Sequence, residues 1–351
     1  MNKLAMPSTK LADWPDRDRL LWLASRKAAG PFDDGGIAAK WSSATIQGCE
    51  KGYGVWLAWL QVSSSLDLAA EPCLRVSRER IKHFIEEYSP GRAPLTIAGT
   101  VRDIGMVLRA SSPPDGVAWL TKLGHRMVNT AVPIRPKLPR MASLPAVFNL
   151  ANELMAAGLE ALEKGKVSGA VTFRDGLLIA FLAYRPMRLR NLALLRLGDN
   201  FLVEGDQLRL DIPARATKKG VSTANAVPDK LVEPFQQYLA RVRPVLGRNS
   251  TTDPGWLWLG RRGKPLTDQG IWSRVSKLCQ KHLGKNMTPH LFRDCAATQI
   301  AISAPAMIGI TKDILGHATL ASSQNSYNQA NSFAATEAYG EIIRRLLEDD
   351  K

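Results

Sequence analysis

FLVEGDQLRLDIPARATKKGVSTANAV, residues 201–227, is the one stretch of this chain that reads as β-structure. Phe201, Leu202 and Val203 form a first apolar run. Leu208 to Ile212 then alternates apolar with polar residues, as a half-buried strand does. Glu204-Gly205-Asp206 makes the tight turn between them, and a third run closes at Ala226 and Val227. Lys218, Lys219 and Gly220 fall in the turn before that third run. Working outward, the pattern is helical on both sides. Upstream lie helices over about 146–164 and 171–183. Downstream lie 267–283, started by a Thr267-Asp268 cap, then 289–302, 307–315 and 333–348. The fold class expected is therefore mainly α with a small antiparallel β-sheet.

Further upstream, residues 129–145 hold four prolines in seventeen positions, which forbids a continuous helix and favours a stiff, extended connector. Arg135, Lys137 and Arg140 lie in this connector and are candidate phosphate contacts. Before it, helices are expected over 15–28, 42–61, 77–88 (with Ser77 as N-cap), 96–109 and 117–127, with no strand alternation. The domains expected are an N-terminal extension, 1–40; an all-α domain, 41–130; a proline-rich linker, 131–145; and an α+β domain, 146–351, ending in the helix 333–348.

The 351 residues carry 47 Lys and Arg against 32 Asp and Glu, a net charge of +15. Residues 1–135 contribute +5 and residues 136–351 contribute +10. Positive charge spread over the whole chain points to a polyanionic partner, DNA above all. No apolar run approaches the roughly 18 residues that a membrane span needs. The N-terminus lacks a signal-peptide core. The four cysteines have no metal-ligand spacing, so a cytoplasmic protein with reduced thiols is expected.

Two histidines sit in unusual contexts. His290-Leu291-Phe292-Arg293 is an H-x-x-R run at a helix start after Thr288-Pro289, where free N–H groups can meet an anion. His317 follows Leu315-Gly316, and Tyr327 comes ten residues later in a polar setting. Arg185, Arg188 and Arg190 crowd the end of an apolar helix. Cys295, flanked by alanines, reads as core. His83, His125 and His282, with no acidic or Cys partner at ligand spacing, read as surface or packing residues. Taken singly, each feature has an ordinary explanation; in this order, on a basic chain, they form a pattern.

That pattern resembles the catalytic domain of the tyrosine recombinases, the phage integrase family, over about residues 146–345. The helix turn at Pro186-Met187-Arg188-Leu189-Arg190-Asn191-Leu192 matches the family's first arginine box and places the first catalytic arginine at Arg188. The hairpin lysine matches Lys218, with Lys219 as its competitor. His290 and Arg293 match the H-x-x-R box, His317 the L-G-H box, and Tyr327 the nucleophile. Trp256 to Leu259 and Pro265 to Thr267 resemble the strand and helix start before that box. Residues 41–128 are similar to the helical core-binding domain only in composition and helix count. Three departures stand out. Asn191 replaces a common Glu, Asp294 follows the H-x-x-R box where His is frequent, and the His317-to-Tyr327 spacing is one residue longer than usual.

The resemblance implies a C-shaped clamp on DNA and a site-specific recombinase. Tyr327 would form a covalent 3′-phosphotyrosine, Arg188 and Arg293 would grip the phosphate, and His290 would be the base. His317 would be a hydrogen-bond donor, and Lys218 the acid. It implies no cofactor or metal. The expected partners are double-stranded DNA at specific sites, further copies in a tetramer, and accessory DNA-bending or directionality proteins, at the nucleoid and not at a membrane. Integration or excision of a mobile element is the expected task. The alternatives are a topoisomerase-IB-like nicking and relaxing enzyme, and a DNA-binding protein of this fold with impaired catalysis.

Overall fold

A computed structural model describes residues 6–111, 116–205, 207–213, 222–248, 250, 253 and 255–303. Lys218, Lys219, His317, Tyr327 and the helix expected over 333–348 lie outside the described residues. Two compact units divide the chain, Met1–Pro136 and Lys137–Lys351. Among the described residues, no helix is long and apolar enough to cross a membrane.

Among the described residues the elements of the first unit are helices: α1 (Asp16–Ser25), α2 (Ser43–Val62), α3 (Arg78–Tyr88), α4 (Pro94–Ser111) and α5 (Ala118–Thr130). Ser42 and Ser77 cap α2 and α3, their hydroxyls accepting from the Thr45 and Arg80 N–H groups at 3.2 and 3.1 Å. An aromatic core gathers Trp14, Trp22, Tyr53, Trp56, Trp59 and Phe84, with Trp56 stacked on Trp59 at 5.1 Å. Residues 6–41 share this core through Met6, Trp14, Trp22 and Ala38. Beneath them lies a buried ion pair. Asp18 and Arg75, both wholly enclosed, meet at 2.8 Å, and the Tyr53 hydroxyl donates to Asp18 at 2.6 Å. The remaining Arg75 donors reach the Asp67 and Ala70 carbonyls, so this buried charge is fully paired. His83 does have an acidic neighbour, contrary to expectation. Its Nε2 lies 3.1 Å from Glu87, one turn along α3, in an exposed helix-surface pair.

In the second unit, α6 (Leu144–Glu163) and α7 (Ser168–Tyr184) form an antiparallel hairpin. Ser143 caps α6, and Pro145 fits its first turn, where a missing N–H costs nothing. The helices touch backbone to backbone. A Cβ at Gly158 would lie 2.5 Å from the Phe173 nitrogen, and one at Gly176 would lie 2.7 Å from the Ala151 oxygen. Nearly every residue of α7 is buried, so it is the spine of the unit. The short α8 (Leu189–Ala193) follows. Next come β1 (Phe201–Glu204), β2 (Gln207–Ile212) and β3 (Thr223–Ala226), an antiparallel sheet in the order β1-β2-β3. Phe201 pairs with Leu210 and Ile212 with Thr223.

Two features depart from the expected pattern. Residues 229–247 are helical: α9 (Asp229–Gln237) runs through a π-turn, Tyr238–Val242, into α10 (Arg243–Gly247). Pro234 and Pro244 argue locally against a helix. The wider π-turn, next to the residue that cannot donate its N–H, lets the helix continue. Residues 256–259, expected to be a strand, make only isolated bridges. Side chains take up most of their carbonyls: Arg243 donates to Trp256, Tyr238 to Leu257 at 2.8 Å, and Arg174 to Leu259 at 2.7 Å. Finally, α11 (Asp268–Leu283), capped by Thr267, and α12 (Pro289–Ser303) complete the described part of the unit.

Candidate active site

Two interruptions of helix build the site. The first follows α7. Arg185 ends that helix, the Met187 N–H turns back to the Arg185 carbonyl at 2.6 Å, and Arg188 takes an extended conformation as N-cap of α8. The second precedes α12, where the Leu291 N–H closes on Thr288 at 2.8 Å and Pro289 opens the helix. Arg293, one turn into α12, is 7% exposed and donates from Nη1 to the Pro186 carbonyl at 2.5 Å. This bond fastens the H-x-x-R helix to the turn carrying Arg188, 105 positions earlier in the chain.

The electrostatics follow from that closeness. Burial first, and the neighbouring Arg188 with it, bring the Arg293 guanidinium down to about 10 against the opposing pull of Asp294. Arg293 still carries its charge at neutral pH. Two guanidinium groups held together, one of them buried, make a place that favours an anion with several acceptor oxygens. His290, on the same helix, keeps solvent access. Partial desolvation lowers its imidazole below the ordinary value; Asp294 opposes this, while Lys137 and Arg293 add to it. Cys295 is buried, its thiol pushed up to about 12 by burial, and its Sγ meets the Ala142 carbonyl at 3.7 Å. It is a neutral packing residue.

The structure thus brings Arg188, His290 and Arg293 together. Of the other cations singled out, Arg135 is exposed in the first unit. Lys137 pairs with Asp294 at 2.7 Å, and Arg140 donates to the Asn286 carbonyl at 3.2 Å. Both are therefore engaged with the α12 start. The missed member is Asp294. Its sequence signal was its place four residues after His290, on the same helix face.

The family model described as "Phage integrase family" matches residues 152–332, more than half of the chain. Among curated proteins, the tyrosine recombinase XerD of Staphylococcus saprophyticus is 27% identical over 211 residues, covering 60% of this chain and 66% of that protein. XerD of Staphylococcus aureus strain Mu50 is 29% identical over 184 residues, covering 52% and 57%. These alignments span less than two thirds of the relatives' own length. Among solved structures, the XerH site-specific recombinase bound to palindromic difH substrate, a post-cleavage complex, superposes with a TM-score of 0.55. That superposition covers 94% of this chain and 98% of that one at 14% identity, a likeness of fold. On the family match, which takes in the arginine pair and the H-x-x-R helix and runs past Tyr327, the chain belongs to the phage integrase family.

Proposed function

We propose that this protein is a site-specific DNA recombinase of the tyrosine type, cleaving and rejoining strands through a 3′-phosphotyrosine. The observation that carries the reading is the Arg293–Pro186 bond, which sets the buried Arg293 beside Arg188 within the family-matched segment. In the reaction, the Tyr327 oxygen attacks the scissile phosphorus and the bond to the 5′ oxygen breaks. His290 accepts the phenol proton, and Lys218, or Lys219 in its place, protonates the leaving oxygen. A free phenol has a pKa of about 10, so a neutral base beside it is needed near pH 7. Arg188, Arg293 and His317 stabilise the charge of the five-coordinate phosphorus, each such contact being worth about 3–4 kcal/mol. The phosphotyrosine conserves the bond, so rejoining requires neither nucleotide nor metal.

Both units bind the duplex, Arg135 adding a backbone contact, and copies assemble as a tetramer through the segment 333–348. The task is integration or excision of a mobile element in the cytoplasm, with accessory DNA-bending or directionality proteins. Deleting residues from 333 onward would then reduce higher-order assembly on DNA; unchanged assembly would reject that role.

The reading is tested by trapping. Purified protein in EDTA is incubated with nicked suicide duplexes made from pooled host genomic fragments and run on a denaturing gel. A covalent band is expected that Tyr327→Phe abolishes while low-salt DNA binding persists. Covalent product in Tyr327→Phe would overturn the nucleophile, with Tyr339 next to be tried. Binding without any covalent band would favour a DNA-binding protein of this fold.

A further inference from the structure

We propose that the segment 137–142 is a strap that sets Lys137 against Asp294, so that the Asp294 carboxylate does not hold the imidazole of His290 in its protonated form. The proposal rests on the reading of His290 as the base.

The strap is fastened along the start of α12 by four contacts within the second unit. Lys137 Nζ donates to Asp294 Oδ1 at 2.7 Å, and Arg140 Nε donates to the Asn286 carbonyl at 3.2 Å. Lys285 Nζ donates to the Pro139 carbonyl at 3.1 Å, and Cys295 Sγ reaches the Ala142 carbonyl at 3.7 Å. Met141, Ala142 and Leu144 pack on the core behind them. The strap therefore has a fixed course, and Lys137 has a fixed place.

Asp294 is an unusual residue to find there. Its Oδ1 is held by Lys137, whereas its Oδ2 is buried without a partner among the described residues. A buried carboxylate oxygen left unmatched is a cost to the fold and calls for a reason. Asp294 stands one helical turn after His290, where side chains are neighbours. Partial burial disfavours the charged imidazole of His290 most; Asp294 favours it, and Lys137 and Arg293 disfavour it. An unopposed carboxylate at that spacing favours the protonated imidazole, which cannot accept the phenol proton. Lys137 offsets that carboxylate, and Lys137 belongs to the strap. Through Lys137 the strap thus bears on whether the base is ready.

The decisive measurement needs no DNA. The full chain, labelled with ¹³C-histidine, is titrated by NMR, with His290→Gln assigning the resonance. K137M should raise the midpoint of His290, D294N should lower it, and K137R, which keeps the pair, should leave it in place. Midpoints unmoved by both changes, or moved in the same direction, would overturn the proposal. K137M alters a half-exposed side chain, so it stands as the test even where D294N folds poorly. In the trapping assay, the acid limb of the pH profile should move up in K137M and down in D294N. Failure of trapping in the wild type counts against the function and leaves the titration untouched, so the two readings fail separately.

Discussion

Replacing Gly158 with Ala sets two effects of known size against each other at the α6–α7 crossing. In an isolated helix the change stabilises by about 1 kcal/mol, because Gly is the poorer helix former. Here the new Cβ would stand 2.5 Å from the Phe173 nitrogen and 2.7 Å from the Phe173 Cβ, and Phe173 is buried on the spine helix. A backbone atom cannot rotate aside, so relief requires the helices to part, and overpacking of this kind costs about 1–3 kcal/mol. With the cost at its upper end, the net loss is about 1–2 kcal/mol, a fall of roughly 2–8 °C in the melting temperature of the second unit. Gly99 in α4 is the control. A Cβ there meets nothing within 4 Å, so Gly99→Ala should stabilise the first unit by about 0.5–1 kcal/mol. Calorimetry resolves the two units if they melt separately, and tryptophan fluorescence in urea gives a second view. A Gly158→Ala protein melting at or above the wild type would refute the close-packing argument.

Three further expectations follow from the packing. Asp18→Asn leaves the buried Arg75 charge uncompensated and should destabilise the first unit by about 3–5 kcal/mol, whereas the double change Asp18→Leu with Arg75→Met should cost less; thermal melts of both decide. Ser77→Ala removes the acceptor for the Arg80 N–H and should cost about 1 kcal/mol in urea unfolding, with Ser77→Gly costing less. Asp253, held down to about 2 chiefly by its hydrogen bond from Arg243, adds stability that is complete above the unfolded carboxylate range. That contribution fades as pH falls from about 4 through 2; it is small because the carboxylate is 59% exposed, and Asp253→Asn should flatten the acid limb of the melting profile.

What could be read from the sequence was what local chemistry determines. Ser77 and Thr267 announced their helices because a hydroxyl at the N-cap meets a free N–H within three residues. The β1–β2 hairpin was legible because Gly205 offers the turn and Leu208, Leu210 and Ile212 share one face. The arginine pair was legible through residue order alone; the sequence had no means of showing that the Pro186 carbonyl joins its halves. What stayed hidden depends on distant partners. Asp18 and Arg75 are 57 positions apart, and neither side chain alone forecasts a buried pair. The helical run 229–247 was masked by Pro234, inside α9, and by Pro244, next to the π-turn that lets the helix continue. Residues 256–259 have strand composition, yet side chains from α7, the π-turn and α10 take the carbonyls a neighbouring strand would have claimed.

The same long reach governs how the protein is made. Lys137 meets Asp294 across 157 positions, and Arg293 meets Pro186 across 107. At a synthesis rate of roughly 5–20 residues per second, the strap waits about 8–30 s for its partner helix. During that interval the core around the spine helix α7 lacks Leu291 and Phe292. The arginine pair, for its part, has no existence until α12 has left the ribosome. A nascent chain therefore carries much of its positive charge before the arginine pair is assembled.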